Sequence, residues 1–207
     1  MKILGSVAVI LGLMAADATL AQEIRPEVAQ AAASLAATTC STCHGTAGRS
    51  TSPNFPNLAA QTAPYLEAQL KAFRDQTRAD PDAQAYMWGM ASQLSDETIA
   101  AIAAHYAAQT GAPGHGGDAG LTSRGKVIFQ QGVPDRAIVA CATCHGDHAQ
   151  GNGPIPRLAG QHAPYLLKQM LVIQSVLRLA PVMHGVIKDL SREQMQAVAA
   201  YLEGLGP

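Results

Sequence analysis

The strongest constraint on this 207-residue chain is an internal repeat that contains all four of its cysteines. The hexapeptide CSTCHG at residues 40–45 recurs as CATCHG at 141–146, and the nonapeptide LAAQTAPYL at 58–66 recurs as LAGQHAPYL at 158–166. A methionine, six further residues and a Leu-Ser pair then follow in both halves. Because the landmarks keep one order, the chain is predicted to contain two copies of one structural unit.

Composition divides the chain at its amino end and again near its centre. Residues 1–21 combine Lys2, a short apolar run and small residues, a pattern typical of a cleaved signal peptide, with an uncleaved anchor as the alternative. Residues 111–123 are rich in glycine and lack apolar periodicity, which predicts a connector. We therefore predict a first lobe over 22–110 and a second lobe over 124–207.

Helical patterns dominate both halves. Pro64 and Pro164 suit the first turn of a helix, and the apolar residues that follow each proline share one helix face. A further helix is expected to open each half and to end in the cysteine motif. Pro26 would lie near its start in the first half, and Ser123 is a possible N-cap in the second.

Each half also closes with a predicted helix. Ser95 and Ser191 suit N-cap positions in front of amphipathic stretches, and Gln194 would complete a capping box in the second half. No segment shows sustained alternation of apolar and polar residues. The predicted fold class is therefore all-α.

Each repeat contains C-x-x-C-H, the spacing typical of covalent haem attachment. Two thiols form thioethers with the porphyrin edge, and the adjacent histidine binds the iron. The predicted attachment residues are Cys40, Cys43, Cys141 and Cys144, and the predicted histidine ligands are His44 and His145.

Three other uses of the cysteines remain as alternatives. A thioredoxin-like redox motif requires a βαβ pattern, which the chain lacks. A zinc site would have to join cysteine pairs from two separate repeat units. Disulfide bonds within each C-x-x-C would leave the two histidines unexplained. Haem attachment is therefore the favoured interpretation.

Met87 and Met183 recur at the same place before the closing helices, and a thioether opposite histidine suits a haem of relatively high potential. Met90 lies one turn from Met87 and is an alternative ligand, but Val186 stands at its position in the second half. His184 would give a haem with two histidine ligands, but no histidine stands at the matching place in the first half. The repeat therefore favours the two matched methionines.

Supporting groups are expected from prolines and from repeated polar residues. Pro53 and Pro154 follow the two histidines and are expected to offer a carbonyl to each ring N–H. The repeated residues Gln61, Gln161, Tyr65 and Tyr165 can bind haem propionates, with a solvent-exposed or capping role as the equal alternative. Arg49 and Arg157 are candidate propionate partners by charge alone, without support from the repeat. Histidines without a counterpart in the other half, namely His105, His162 and His184, are interpreted as surface or packing residues.

Together these repeated segments resemble the cytochrome c4 family of dihaem c-type cytochromes, over about residues 26–204. The resemblance implies an all-α fold of two tandem class I cytochrome c lobes, each a small helical domain around one covalently bound haem c. It implies axial ligands His44 with Met87 in the first lobe and His145 with Met183 in the second. It also implies a periplasmic electron carrier that feeds a terminal oxidase.

One departure from the family concerns helix packing. Class I lobes usually pack a glycine and an aromatic residue of the opening helix against an aromatic residue of the closing helix. The second lobe matches with Gly125, Phe129 and Tyr201. The first lobe has alanines at 31–33 and His105 at the position of Tyr201, so we expect that lobe to pack differently.

Charge narrows the range of partners. The formal net charge of −1, from 14 basic and 15 acidic residues, provides no positive field for a nucleic acid. Residues 22–110 contain 5 basic and 8 acidic residues, whereas 111–207 contain 8 and 6, so the lobes differ in sign. Such a dipole can steer docking on a charged redox partner. No apolar run after residue 21 could span a bilayer, so membrane association is expected only through a partner.

We therefore predict a one-electron carrier that performs no bond chemistry, with a redox protein as donor and a terminal oxidase or cytochrome complex as acceptor. The sequence is also similar to the dihaem cytochrome subunits that accept electrons in dehydrogenases such as sulfide-oxidising flavocytochromes. A haem enzyme with one open iron site is less favoured, because both halves contain the matched methionine.

Overall fold

The computed structural model describes residues 24–207, so the predicted signal peptide over 1–21 lies outside the described residues. Within that range the chain is helical and forms no strand, with isolated β-bridges at Val133–Ile138 and Asn152–Ile155. The all-α prediction is confirmed. No helix between residues 24 and 207 is long and apolar enough to cross a membrane.

The helices of the two copies occur in the same order. In the first copy they are α1 (Pro26–Leu35), α2 (Ser41–His44), α3 (Ala63–Arg74), α4 (Trp88–Ala91) and α5 (Asp96–Ala107), with π-helical turns at Ala36–Cys40 and Ala83–Met87. In the second copy they are α6 (Ala119–Gln131), α7 (Ala142–His145), α8 (Ala163–Gln174), α9 (Pro181–Ile187) and α10 (Arg192–Glu203). Short 3₁₀ turns lie at Thr46–Gly48 and Pro134–Arg136.

Most predicted helix starts are confirmed. Helix α1 begins at Pro26, and both α3 and α8 have their proline in the first turn. The Ser95 hydroxyl accepts from Thr98 N–H, and Ser191 forms a reciprocal capping box with Gln194. These bonds satisfy amide groups that have no partner inside the helix.

The opening helix of the second copy differs from the prediction. Asp118 caps it by accepting from Leu121 N–H, so Ser123 lies inside the helix instead of at its start. The helix also ends at Gln131, before the cysteine motif, because Gly132 takes a positive φ of 72° and Pro134 cannot continue the helical hydrogen bonding. In the first copy the helix runs through the π-helical turn into the motif, as predicted.

The opening and closing helices of each copy cross closely. In the second copy α6 meets α10 at Gly125, and the rings of Phe129 and Tyr201 lie 5.6 Å apart. In the first copy the fully buried Ala32 of α1 lies in the core formed with α5, and Tyr106 is buried there. The expected difference in packing is therefore present, and Tyr106, next to His105, supplies the aromatic ring of the first core.

We expect Gly125→Ala to lower the free energy of unfolding of the second lobe by about 3 kcal/mol, because a Cβ at this position would overlap the Ala197 carbonyl oxygen of α10. Gly120→Ala in the same helix is the matched control. Its Cβ would lie 3.4 Å from the nearest atom, so it should be neutral or stabilising by up to about 1 kcal/mol. Thermal denaturation of both variants measures the difference, and equal melting temperatures would contradict the close crossing.

Candidate haem site

A cavity of about 830 Å³ extends through both lobes and is lined mainly by apolar side chains. Leu66 and Phe73 contribute to its wall in the first lobe, and Leu166 and Ile173 do so in the second. All eight residues predicted to hold two haems line this cavity, namely Cys40, Cys43, His44, Met87, Cys141, Cys144, His145 and Met183. The fold therefore brings the two predicted ligand sets to the walls of one continuous space.

Both histidines are buried and donate the same kind of hydrogen bond. His44 Nδ1 lies 2.9 Å from the carbonyl oxygen of Pro56, and His145 Nδ1 lies 2.9 Å from that of Pro156. Since a carbonyl only accepts, the proton is on Nδ1. Burial lowers the pKa of both imidazoles, although the carbonyl bond opposes this change. Each ring is therefore neutral with an unprotonated Nε2, the form that binds iron.

The carbonyl acceptors differ from those expected. Pro53 and Pro154 were the expected acceptors, and the structure uses Pro56 and Pro156. Each loop contains two prolines, and the path of the loop decides which carbonyl reaches the ring. Pro56 and Pro156 directly precede Asn57 and Arg157 and stand at matching places in the repeat. This match is the sequence feature that could have identified them as the carbonyl acceptors.

A positive φ lets the chain turn directly after each histidine. Gly45 has φ 73° and Gly146 has φ 82°. A Cβ at Gly45 would overlap the carbonyl oxygen of Arg49, so a side chain there is excluded by both conformation and space. The C-x-x-C-H-G motif thus ends its helical turn abruptly, and the loop returns to bring Pro56 or Pro156 beside the imidazole.

None of the four cysteines, all of which lie within residues 24–207, forms a disulfide bond. Cys40 and Cys141 are partly buried, whereas Cys43 and Cys144 are exposed. Burial raises the pKa of the Cys141 thiol to about 11 before any thioether forms. Within residues 24–207 no three His, Cys, Asp or Glu side chains form a group that could hold a metal ion.

The two matched methionines occupy similar surroundings. Met87 ends the π-helical turn before α4 and packs against the cluster of Phe73, Ala83 and Ala91, while Met183 packs against the second core. The alternative thioether, Met90, lies at the cavity rim and is 60% exposed.

His184 does not line the cavity, unlike Met183 beside it, and its Nδ1 donates to the carbonyl of Ile173 at 3.0 Å. His184 therefore has a packing role, as interpreted from the sequence.

A buried arginine cluster joins the lobes beside the cavity, formed by Tyr65, Gln69, Arg78, Asp80, Gln169 and Arg178. Arg78 donates to Asp80 at 2.9 Å, whereas Arg178 donates only to neutral oxygens. Two buried guanidinium groups thus face one carboxylate in this cluster. An uncompensated buried charge is costly, so the cluster suits an additional anionic group.

Three buried donor atoms beside the cavity have no hydrogen-bond partner among the described residues. They are Gln169 Nε2, in the arginine cluster, Arg157 Nε and Tyr106 Oη. Haem carries two propionates whose oxygens are hydrogen-bond acceptors. The excess positive charge, the unpaired donors, the apolar walls and the C-x-x-C-H thiols therefore fit two covalent haems with propionates near the lobe interface.

The other polar residues singled out in the sequence have different partners. Arg49 is exposed and donates to the carbonyl of Thr110, and Tyr65 accepts from Arg178. His162 donates through Nε2 to the carbonyl of Ser50 in the other lobe. Gln61 and Gln161, predicted either to bind propionates or to cap a helix or face solvent, bind the backbone of the opposite lobe. Their matched positions were visible in the repeat, but lobe docking decided their partners.

Comparisons with known proteins agree with this geometry. The family model described as cytochrome c matches residues 29–107 and 122–206. The chain is 43% identical over 169 residues to cytochrome c-552 of Acidithiobacillus ferridurans, covering 80% of this chain and 73% of that protein. It is 33% identical over 179 residues to the thiosulfate dehydrogenase electron acceptor of Thiomonas intermedia, covering 83% and 81%. The solved structure of Acidithiobacillus ferrooxidans cytochrome c4 superposes with a TM-score of 0.77 at 41% identity, covering 80% of this chain and 98% of that one.

Proposed function

The chain belongs to the cytochrome c4 family of dihaem c-type cytochromes, and from this premise we propose that it carries electrons in the periplasm to a terminal oxidase. It contains two covalently bound haem c groups, it transfers electrons and is not itself an enzyme, and its partners are redox proteins. Export through the signal segment at 1–21, and the division into lobes at 22–110 and 124–207 with a connector at 111–123, are part of the proposal.

We assign the thioether bonds to Cys40 and Cys43 in the first lobe and to Cys141 and Cys144 in the second. The proposed axial ligands are His44 with Met87 and His145 with Met183. The observation that carries the assignment is that all eight side chains line one cavity, with each histidine ring held by a proline carbonyl.

A bound haem supplies an iron that gains or loses one electron. The chain's contribution is to provide two axial ligands in each lobe, so the coordination need not change with oxidation state. The apolar walls exclude water, and the buried Arg78 and Arg178 would offset the negative charge of bound propionates. These contributions lower the reorganisation that accompanies electron transfer and stabilise the reduced state.

One observation favours a second candidate function, in which this chain accepts electrons from a dehydrogenase. The thiosulfate dehydrogenase electron acceptor of Thiomonas intermedia matches over 83% of this chain, so a dehydrogenase is a candidate electron donor. In that role the chain would receive electrons from a substrate-oxidising enzyme. A carrier can have both a dehydrogenase as donor and an oxidase as acceptor, so the two partners are tested separately.

We expect the reduced protein to be oxidised rapidly by membranes that contain a terminal oxidase from the same cells, with a rate that falls as ionic strength rises. The fall is expected because the lobes have opposite net charge, −3 over 22–110 and +2 over 111–207, and salt screens steering. Stopped-flow absorbance measures the rate. Reduction by thiosulfate dehydrogenase without any oxidation by the membranes would overturn the oxidase proposal and support the dehydrogenase role alone.

A further inference from the structure

Two glutamines cross the lobe interface in a matching pair. Gln161 Oε1 accepts from Asn57 N–H at 2.9 Å, and its Nε2 donates to the Asn57 carbonyl at 3.0 Å. In the reciprocal pair, Gln61 Oε1 accepts from Arg157 N–H at 2.7 Å and its Nε2 donates to the Arg157 carbonyl at 2.9 Å. Both glutamines are buried, so these bonds are sheltered from competing water.

The amide oxygen of each glutamine is fixed by a second bond within its own lobe. Gln161 Oε1 also accepts from His162 N–H at 3.1 Å, and Gln61 Oε1 accepts from Thr62 N–H at 3.0 Å. With both ends of the amide engaged, neither side chain can rotate without losing hydrogen bonds. The glutamines are therefore held as acceptors for the opposite lobe.

The residue that each glutamine binds is adjacent to the histidine's acceptor. The N–H of Asn57 and the carbonyl of Pro56 belong to one peptide group, and that carbonyl accepts from His44 Nδ1 at 2.9 Å. In the second copy the N–H of Arg157 and the carbonyl of Pro156 form the corresponding peptide group, which accepts from His145. Each imidazole is thus linked through one peptide group to a glutamine of the other lobe.

Hydrogen bonds in such a chain strengthen one another. A peptide group whose N–H donates to an amide oxygen becomes a better acceptor at its carbonyl, by about 10–30% per bond. A stronger bond at Nδ1 makes the imidazole more electron-rich and a better ligand for ferric iron. The distant glutamine can therefore affect the iron without touching the haem.

We propose that Gln61 and Gln161 are positioning residues that lower the reduction potential of the haem in the opposite lobe. Gln161 acts on the first-lobe haem through Asn57 and Pro56, and Gln61 acts on the second-lobe haem through Arg157 and Pro156. The proposal rests on the proposed function, in which His44 and His145 are axial ligands. It makes the lobe interface part of the redox site, so any change in lobe docking alters both potentials.

The test is spectroelectrochemistry of the intact dihaem protein with Gln161→Leu and Gln61→Leu. Gln161→Leu should raise the equilibrium constant for reduction of the first-lobe haem about threefold. This corresponds to a rise in reduction potential of about 30 mV, at 59 mV per tenfold change for one electron. Gln61→Leu should do the same for the second-lobe haem. In the reduced protein each haem is identified by the NMR signals of its ligand methionine. The variant Met183→His assigns these signals, because it should remove only those of the second-lobe haem.

The matched control is His162→Leu, which removes a different side-chain hydrogen bond across the same interface. It should leave both potentials unchanged, because Ser50, its partner, does not accept from an axial histidine. If Gln161→Leu and His162→Leu shift both haems equally, loosening of the interface is the cause and the proposal is wrong. The same conclusion follows if each glutamine variant shifts only the haem of its own lobe.

A conservative variant separates the acceptor role from simple packing. Gln161→Glu keeps an oxygen to accept from Asn57 N–H, so the first-lobe potential should stay the same or fall, whereas a rise would overturn the proposal. The proton on His44 Nδ1 provides a second readout, since its NMR signal in the reduced protein should move upfield in Gln161→Leu. If the unmodified protein lacks methionine-ligated haem, the proposed function fails first, and that outcome is visible before any variant is made.

Discussion

Met87→His is expected to lower the reduction potential of the first-lobe haem by on the order of 0.3 V, within the roughly 0.8 V range that axial ligands span. Imidazole is a stronger donor than a thioether and stabilises ferric iron, whereas methionine favours ferrous iron. The weak methionine-to-iron charge-transfer band of the oxidised protein should fall to half at the same time. A redox titration followed by absorbance measures both effects.

Met90→His is the matched control for this substitution. Met90 is 60% exposed, lies one turn along the chain and has no counterpart in the second lobe. Its substitution should leave the potential and the charge-transfer band nearly unchanged. A large drop in Met90→His with little change in Met87→His would move the ligand assignment to Met90.

Removing both thiols of the first motif, with Cys40→Ala and Cys43→Ala together, should eliminate one of the two covalent haems and unfold the first lobe. The cavity of about 830 Å³ is shared by the lobes, and at roughly 24 cal/mol per Å³ an empty half would cost about 10 kcal/mol. A cost of that size is comparable to the whole stability of a typical domain, about 5–15 kcal/mol. Mass spectrometry gives the haem count, and circular dichroism gives the loss of helix.

The control for the cysteine pair changes the two residues between them, Ser41→Ala with Thr42→Ala. Their hydroxyls donate only to nearby carbonyls of the same helix or to the adjacent Cys43 sulfur, so two haems and full helix content should remain. If the double cysteine variant retained two covalently attached haems, the thioether assignment would be wrong.

Local chemistry made much of the fold predictable from the sequence. A proline in the first turn of α3 and α8, and serine caps at α5 and α10, act over one helical turn, so they can be recognised without tertiary information. The start of α6 was missed because Asp118 lies in a glycine-rich segment that resembled a connector. The end of α6 at Gln131 follows from Gly132 and Pro134, both visible in the sequence.

The candidate site was predictable where the motif itself contains the chemistry and was missed where docking of the lobes decides the contacts. The C-x-x-C-H spacing predicts the attachment thiols and the ligand histidines, and these residues line the cavity. The Pro56 and Pro156 carbonyls depend on the loop path, and the partners of Gln61 and Gln161 depend on how one lobe faces the other. Their matched positions in the repeat mark such residues but do not identify their partners.

In the proposed function both lobes hold a covalent haem with histidine and methionine ligands, and the chain carries electrons without binding substrate at iron. An anaerobic spectroelectrochemical titration of the purified protein, with the haem count from the same sample, is the decisive measurement. We expect two haems per chain, two one-electron steps at high potential, and a methionine charge-transfer band that corresponds to both. One haem without that band, which binds cyanide or peroxide readily, would contradict the claim and indicate an open iron site.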